Sequence, residues 1–304
     1  MPRASFTPDD CDAMPIRAII AALIVATCWG GNYTATKFAM MDFPPYLALL
    51  LRFIGVAVVL APFAVPMGIP RLRDMAFIGL MLIVVQFACV FSALDMGLSI
   101  TSTVVASQLG VPFACVLAAI VFKDFLGPWR SGGLMVAFFG VMIVAGTPNA
   151  SQHWDAFILA VLGSFAWAIS NIYMKRMVPT PPVIQLLFWP ALFSILPLFL
   201  LSYFAESHQM EAITRAHWQS WLGILYSLFF SSLIGYGLWN RLITTYPMSS
   251  VVPYSLLVPV VGIAGGVIAF GDPVTAQVLL GATLTIIGVG VITVRRPQLV
   301  EMEQ

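Results

Sequence analysis

Two nine-residue stretches hold the polar side chains best suited to gripping a solute. They are Trp29-Gly30-Gly31-Asn32-Tyr33-Thr34-Ala35-Thr36-Lys37 and Trp167-Ala168-Ile169-Ser170-Asn171-Ile172-Tyr173-Met174-Lys175. Each has a Trp, an Asn three or four residues on and a Lys eight residues on, late in a long apolar run. On a helix, Trp29, Asn32, Tyr33 and Thr36 share one broad face, and so do Trp167, Ser170, Asn171 and Met174. Together these faces can line a cavity with an aromatic wall and amide donors and acceptors. The chemistry is recognition, not bond making. The plainer reading is hydrogen bonding between helices beside ordinary packed Trp.

Other polar residues interrupt apolar runs: Arg52, Gln86, Ser107, Gln108, Gln185, Ser231, Ser232, Tyr236, Asn240 and Ser255. A charge at the centre of a bilayer costs about 2.5–3.5 kcal/mol on insertion scales. Gln86, Gln108, Tyr236 and Ser255 are therefore further candidates for a substrate cavity. Arg52 must face protein or water and needs partners, either structural ones or a substrate carboxylate. Lys37 and Lys175 either snorkel to the interfaces or line the mouths of a pathway. Asp95, at the end of an apolar run, is the candidate coupling acid. Pro112 and Pro259 interrupt two runs, and a proline frees a backbone carbonyl and bends a helix, so both are candidate gating breaks.

Bond-making chemistry has no visible carrier. There is no HExxH, no GxSxG and no Walker motif, and no Asp or Glu falls near the centre of an apolar run. We expect no catalytic residue, no metal and no cofactor. The four cysteines, Cys11, Cys28, Cys89 and Cys115, form no CxxC and read as small packing residues.

The elements that position these residues follow from composition. Of 304 residues, 60% are hydrophobic and 9% charged, against about a quarter charged in a soluble domain. The runs are too long and too uniformly apolar for alternating barrel strands. We expect an all-α polytopic membrane protein with ten transmembrane helices, near 16–38, 44–66, 75–95, 100–121, 131–147, 155–176, 182–204, 217–240, 248–270 and 275–294. The first 15 residues lack the charged start of a signal peptide, so the first run is expected to stay as a helix. With the N-terminus inside, eleven Lys and Arg fall on the inner side and two, Lys37 and Arg215, on the outer. Such a bias places both termini in the cytoplasm.

The chain also repeats beyond the opening motif. Thr103-Val-Val-Ala-Ser-Gln-Leu-Gly-Val-Pro112 parallels Ser250-Val-Val-Pro-Tyr-Ser-Leu-Leu-Val-Pro259. Ile120-Val-Phe-Lys-Asp124 parallels Ile268-Ala-Phe-Gly-Asp272, and Gly133 and Gly140 match Gly281 and Gly288 at the same seven-residue spacing. The expected units are a tail (1–15), two five-helix repeats (16–148 and 149–294) and a second tail (295–304). Five is odd, so the second repeat is inverted relative to the first, an arrangement typical of transporters.

At this level the chain resembles the EamA-type transporters of the drug/metabolite transporter superfamily, and most of all the bacterial O-acetylserine/cysteine exporter branch. The residues that carry the likeness are Trp29-Gly30-x-Asn32 with Lys37, Arg52-Phe53, Phe165-Ala166-Trp167 with Asn171 and Lys175, Gly235-Tyr236-Gly237-x-Trp239, and Ser255-Leu256-Leu257-Val258-Pro259-Val260-Val261-Gly262. The resemblance implies ten helices in two inverted halves, a central cavity and export from the cytoplasm. Many members of that family carry a Gly-Glu-x-Leu-like turn after the fourth and ninth helices. Here those turns read Lys123-Asp124-Phe125-Leu126 and Gly271-Asp272-Pro273-Val274, with a shorter acid.

The expected function is export of small metabolites, amino acids or derivatives such as cysteine and O-acetylserine, across the bacterial inner membrane by alternating access. Broad efflux of apolar drugs is the alternative, and a membrane scaffold or lipid scramblase is the alternative of another class. Expected partners are a small-molecule substrate and membrane lipid, with no nucleic acid. A homodimer is an option that the residues leave open.

Overall fold

The computed structural model describes residues 14–122, 127–177, 181–246 and 251–294. The expected tails lie outside this set, apart from Met14 and Pro15, as does the turn Lys123-Asp124-Phe125-Leu126. Every regular element among the described residues is helical. In order these are α1 (Ile16–Ala39), α2 (Pro45–Ala64), α3 (Leu72–Ile78), α4 (Gln86–Asp95), α5 (Ile100–Ser107), α6 (Gly110–Phe122), α7 (Pro128–Ala145), the short α8 (Pro148–Gln152) and α9 (Trp154–Arg176). There follow α10 (Val183–Ala205), the short α11 (Gln209–Arg215), α12 (Trp218–Tyr226), α13 (Tyr236–Thr245), α14 (Leu257–Phe270) and α15 (Ala276–Val294).

Seven helical segments are long and apolar enough to cross a bilayer: Ile16–Ala39, Pro45–Met67, Leu72–Asp95, Ile100–Val121, Trp154–Arg176, Val183–Ala205 and Trp218–Trp239. Three shorter apolar helices accompany them, Ser131–Ala145, Tyr254–Phe270 and Ala276–Ile292. Helices satisfy their own backbone groups where lipid offers none, so these runs have one stable form. The protein is a multi-pass helical membrane protein.

Local chemistry sets several ends. Pro45 and Pro128 open α2 and α7, where a missing N–H costs nothing. Ser99 caps α5 by accepting from the Ser102 N–H at 3.1 Å. Gly271 closes α14 in the left-handed region, at φ 66°, which glycine adopts without a Cβ clash.

Three departures from regular helix matter for the site. The run Ile100–Phe122 breaks at Gln108-Leu109, four residues before Pro112, because the proline has no N–H for the Gln108 carbonyl. That carbonyl instead accepts a tighter bond from the Val111 N–H at 3.3 Å. A 3-10 turn, Val252–Leu256, likewise precedes α14 and Pro259. The third departure is paired. Between α3 and α4, and again between α12 and α13, the helix widens to i→i+5 pairing, over Gly79–Val85 and Ser227–Gly235. The second wide turn starts 148 residues after the first, the same offset that separates Gly133 from Gly281.

Helices α7 and α15 pack closely and antiparallel. A Cβ on Gly133 would stand 2.8 Å from the Gly288 carbonyl, and one on Gly140 would stand 2.6 Å from that of Gly281. The contacts are reciprocal, with 2.6 Å from Gly288 to Gly133 O and 2.7 Å from Gly281 to Gly140 O. A Cβ on Gly132, by contrast, would meet nothing within 4 Å.

Candidate substrate site

Helix α1 lies against α14, α12 and the wide turn Ser227–Gly235, which brings both halves of the chain onto Trp29. The indole N–H of Trp29 donates to the Ser231 carbonyl at 3.3 Å. Its ring packs against Tyr236 and Trp239, with centroids 5.1 and 5.2 Å away. Gly235 makes room for it, since a Cβ there would lie 2.6 Å from the Trp29 nitrogen. One turn along α1, Tyr33 lies beside Ser107, the last residue of α5 before the break. The structure therefore brings Trp29, Tyr33 and Tyr236 together, with Ser107 beside them.

Arg52 reaches the same wide turn from α2. It is 1% exposed, and its Nε and Nη2 donate to Ser232 Oγ at 3.2 and 3.0 Å, while Nη2 also reaches Ser231 Oγ at 3.3 Å. Ser232 in turn donates to the Ser227 carbonyl five residues back, the spacing of the widened winding. The rings of Phe53 and Phe87 flank the guanidinium, 5.1 and 4.6 Å from centroid to Cζ. Periodicity at 3.6 residues gave no sign of the wide turn. The adjacent pair Ser231-Ser232 was the available signal that it faces something polar.

The two copies of the opening motif are used differently. Asn32 is buried and its Oδ1 has no hydrogen-bond partner among the described residues. Asn171 donates through Nδ2 to the Trp167 carbonyl at 2.8 Å, within its own helix. Trp167 packs over Gly110, where a Cβ would meet its ring at 2.8 Å, so it seats the restart of the broken helix. Gln86 is the first residue of α4, directly after the first wide turn, and its Oε1 is buried and unpartnered. Gln108 is half-buried at the break itself, and Ser255 sits in the 3-10 turn before α14. Pro112 and Pro259 are both buried just after these interruptions.

The remaining candidates lie nearer the ends. Lys37 is half-buried with Nζ 5.5 Å from the Phe270 ring centroid, so it holds α14 rather than reaching free into solvent. Lys175 is exposed on the last turn of α9, and Asp95 is exposed as the last residue of α4.

Acids missed as site residues join the halves at the end of the bundle where α1 stops. Glu206 accepts from the N–H groups of Tyr46 and Leu47 at the start of α2, and from Ser202. Asp42 accepts from the His217 N–H at 2.8 Å and Ser220 Oγ at 2.7 Å, at the start of α12. The Ser220 hydroxyl and the His217 N–H hold its carboxyl below the usual 3.8. Asp272 accepts from the Thr101 N–H at 2.9 Å, in the first turn of α5. The shorter acid suffices because Gly266, without a side chain, lets it in; a Cβ there would stand 2.7 Å from Asp272 Oδ2. At the opposite end Tyr173 donates to Asp74 at 2.7 Å, and Gln185 donates to the Met67 and Gly68 carbonyls at 3.1 and 3.0 Å.

A buried polar and aromatic cluster shared by two halves suits a solute-binding protein. The sequence profile of the EamA-like transporter family matches this chain twice, over residues 16–146 and 154–294. The chain belongs to the EamA-like transporter family. It is thus a transporter rather than an enzyme. Among similar proteins, one from Salmonella typhimurium named "Probable amino-acid metabolite efflux pump" is 32% identical over 274 residues, covering 88% of this chain and 91% of its own. A protein of the same name from Escherichia coli is 30% identical over 276 residues, covering 88% and 92%. A solved crystal structure superimposes with a TM-score of 0.64 over 92% of this chain and 97% of its own, at 16% identity, which is a likeness of fold.

Proposed function

We propose that this EamA-like transporter exports small zwitterionic metabolites, amino acids or their derivatives, by alternating access across the bacterial cytoplasmic membrane. The observation that supports the reading is the contact of Trp29 with Tyr236 across the two halves, with buried oxygens at Asn32, on the helix of Trp29, and at Gln86 that have no partner among the described residues. Buried polar atoms without partners are costly, and a ligand that supplies donors relieves that cost. Asn32, Gln86 and Gln108 take the polar ends of the solute, and Trp29, Trp167 and Tyr236 pack the remainder. The names of the relatives from Salmonella typhimurium and Escherichia coli favour the same solute class.

Ten transmembrane helices in two inverted five-helix repeats, with both termini in the cytoplasm, complete the reading. The reciprocal glycine contacts support it. Exchanging residue i with i+148 maps the Gly133–Gly288 contact onto Gly281–Gly140, so a two-fold operation relates the pair. Two antiparallel helices exchanged by a two-fold axis have that axis perpendicular to them, in the membrane plane. The paired wide turns and the eleven-to-two division of basic residues agree.

Efflux from preloaded proteoliposomes tests the function. Saturable efflux of cysteine, O-acetylserine or neutral amino acids is expected. Efflux of cationic dyes alone, with no competition by amino acids, refutes it in favour of drug export, a reading that the aromatic group of Trp29, Tyr236 and Trp239 also favours. Acceleration by an imposed pH gradient identifies proton coupling.

A further inference from the structure

Arg52 carries a charge that the protein leaves uncompensated. Its hydrogen-bond partners, Ser231 and Ser232, are neutral. Among the described residues no carboxylate lies within ion-pair distance of it. Phe53 and Phe87 offset part of the desolvation through their ring faces but supply no counter-ion. Its Nη1 is buried with no hydrogen-bond partner among the described residues. A guanidinium at 1% exposure in a membrane helix is retained at a cost, and such a residue marks a functional site by default. A purely structural tie between α2 and the wide turn needs only a neutral donor.

Three buried atoms without partners among the described residues are complementary to one class of molecule. Nη1 of Arg52 is a charged donor, whereas Asn32 Oδ1 and Gln86 Oε1 are acceptors. Arg52 stacks on Phe87, the neighbour of Gln86, and it shares Ser231 with Trp29, one helical turn from Asn32. An anion that accepts from Nη1 and an ammonium that donates to amide oxygens of this kind describe an α-amino acid.

We propose that the Arg52 guanidinium, seated on Ser231 and Ser232 between Phe53 and Phe87, binds the carboxylate of the transported solute, while Asn32 and Gln86 accept from its ammonium group. The wide turn is the device that makes this seat. Its winding presents two consecutive serines to one guanidinium and leaves the Ser231 carbonyl to receive Trp29. In the state described here the phenyl rings cover the charge, so access requires their displacement as the halves rock. This assignment rests on the export of amino-acid-type solutes proposed above. It adds that a free carboxylate is obligatory.

The test compares each acid with its amide in the intact chain. Proteoliposomes take up labelled O-acetylserine and cysteine by counterflow, with O-acetylserinamide, cysteinamide and the carboxylate-free amine cysteamine as competitors. A charge-assisted bond lost in a buried site predicts at least about a tenfold weaker competition by the amide and the amine. Arg52→Lys keeps the charge and is expected to raise KM while still preferring acids. Arg52→Gln is expected to treat acid and amide alike, a loss of discrimination that a merely structural arginine would not produce. The wild-type comparison needs no variant, so it stands even if Arg52→Gln fails to fold. If the wild type carries acid and amide equally, this assignment falls and amino-acid export stands. If the wild type neither carries nor is thermally stabilised by any of the amino acids, the functional reading falls and this one with it.

Discussion

The contact of Asp272 with the first turn of α5 gives the sharpest test of how the two halves close. Asp272 is 8% exposed and accepts from the Thr101 N–H at 2.9 Å. Replacing it with Ala removes a charge at a helix N-terminus, worth about 0.3–1 kcal/mol and up to ~2 kcal/mol when partly buried. It also leaves a buried N–H without a partner, which costs about 1–3 kcal/mol. These overlap, so we take roughly 2–3 kcal/mol for Asp272→Ala and about 1 kcal/mol for Asp272→Asn, which keeps an acceptor. At about 1.36 kcal/mol per tenfold, the closed arrangement loses a factor of roughly 30–150 in the first case and about five in the second. Hydrogen exchange of segment 98–107 reads this directly, because local opening exposes those amides. Exchange should accelerate in that order, and Gly266→Ala, whose Cβ would stand 2.7 Å from Asp272 Oδ2, should reproduce the Ala variant. Unchanged exchange in a folded Asp272→Ala protein would refute the view that this acid joins the halves.

Other consequences follow from single contacts. Asn32→Ala should lower solute flux sharply at nearly unchanged Tm, because Asn32 Oδ1 has no hydrogen-bond partner among the described residues, whereas Asn171→Ala should change flux little. Vesicle flux and a thermal-shift assay separate the two. Gly288→Ala should destabilise by about 1–3 kcal/mol through overpacking against Gly133 and be read as a lower Tm. Asp42 titrates below its ordinary 3.8, chiefly through Ser220, so its contribution is present above that value and is lost as pH falls through the lower folded one. Tm measured from pH 3 to 7 should therefore show an acid-range loss in the wild type that Asp42→Asn lacks, with no difference in slope between pH 5 and 7.

Much of the architecture was written in local features. Apolar runs of bilayer length mean helices because nothing else satisfies the backbone in lipid, and Pro112 and Pro259 mean interruptions because each removes an N–H from the ladder. The offset of 148 between glycine pairs disclosed the repeat, since the same packing problem is solved twice with the same residue. The opening motif pointed to Trp29 and Asn32, and the structure places Trp29 against the second half. The motif did not reveal that Asn171 turns back on the Trp167 carbonyl, a choice made by neighbours rather than by spacing.

What only the tertiary structure decided are the pairings across the halves. Arg52 and Ser232 are separated by 180 residues, and no one-dimensional pattern says that the need of one is met by the other. Asp272 stood in the sequence as a shorter acid in a turn, and the absence of a side chain at Gly266 shows how it reaches Thr101. The wide turns shift the helical register locally, which hides them from any analysis that assumes a fixed period. The sequence alone determined that this protein is a helical membrane protein with polar residues kept at depth. Folding determined which of those residues satisfy one another and which keep a buried polar atom without a partner among the described residues, because side-chain partners are chosen in three dimensions, across helices the chain joins only at their ends.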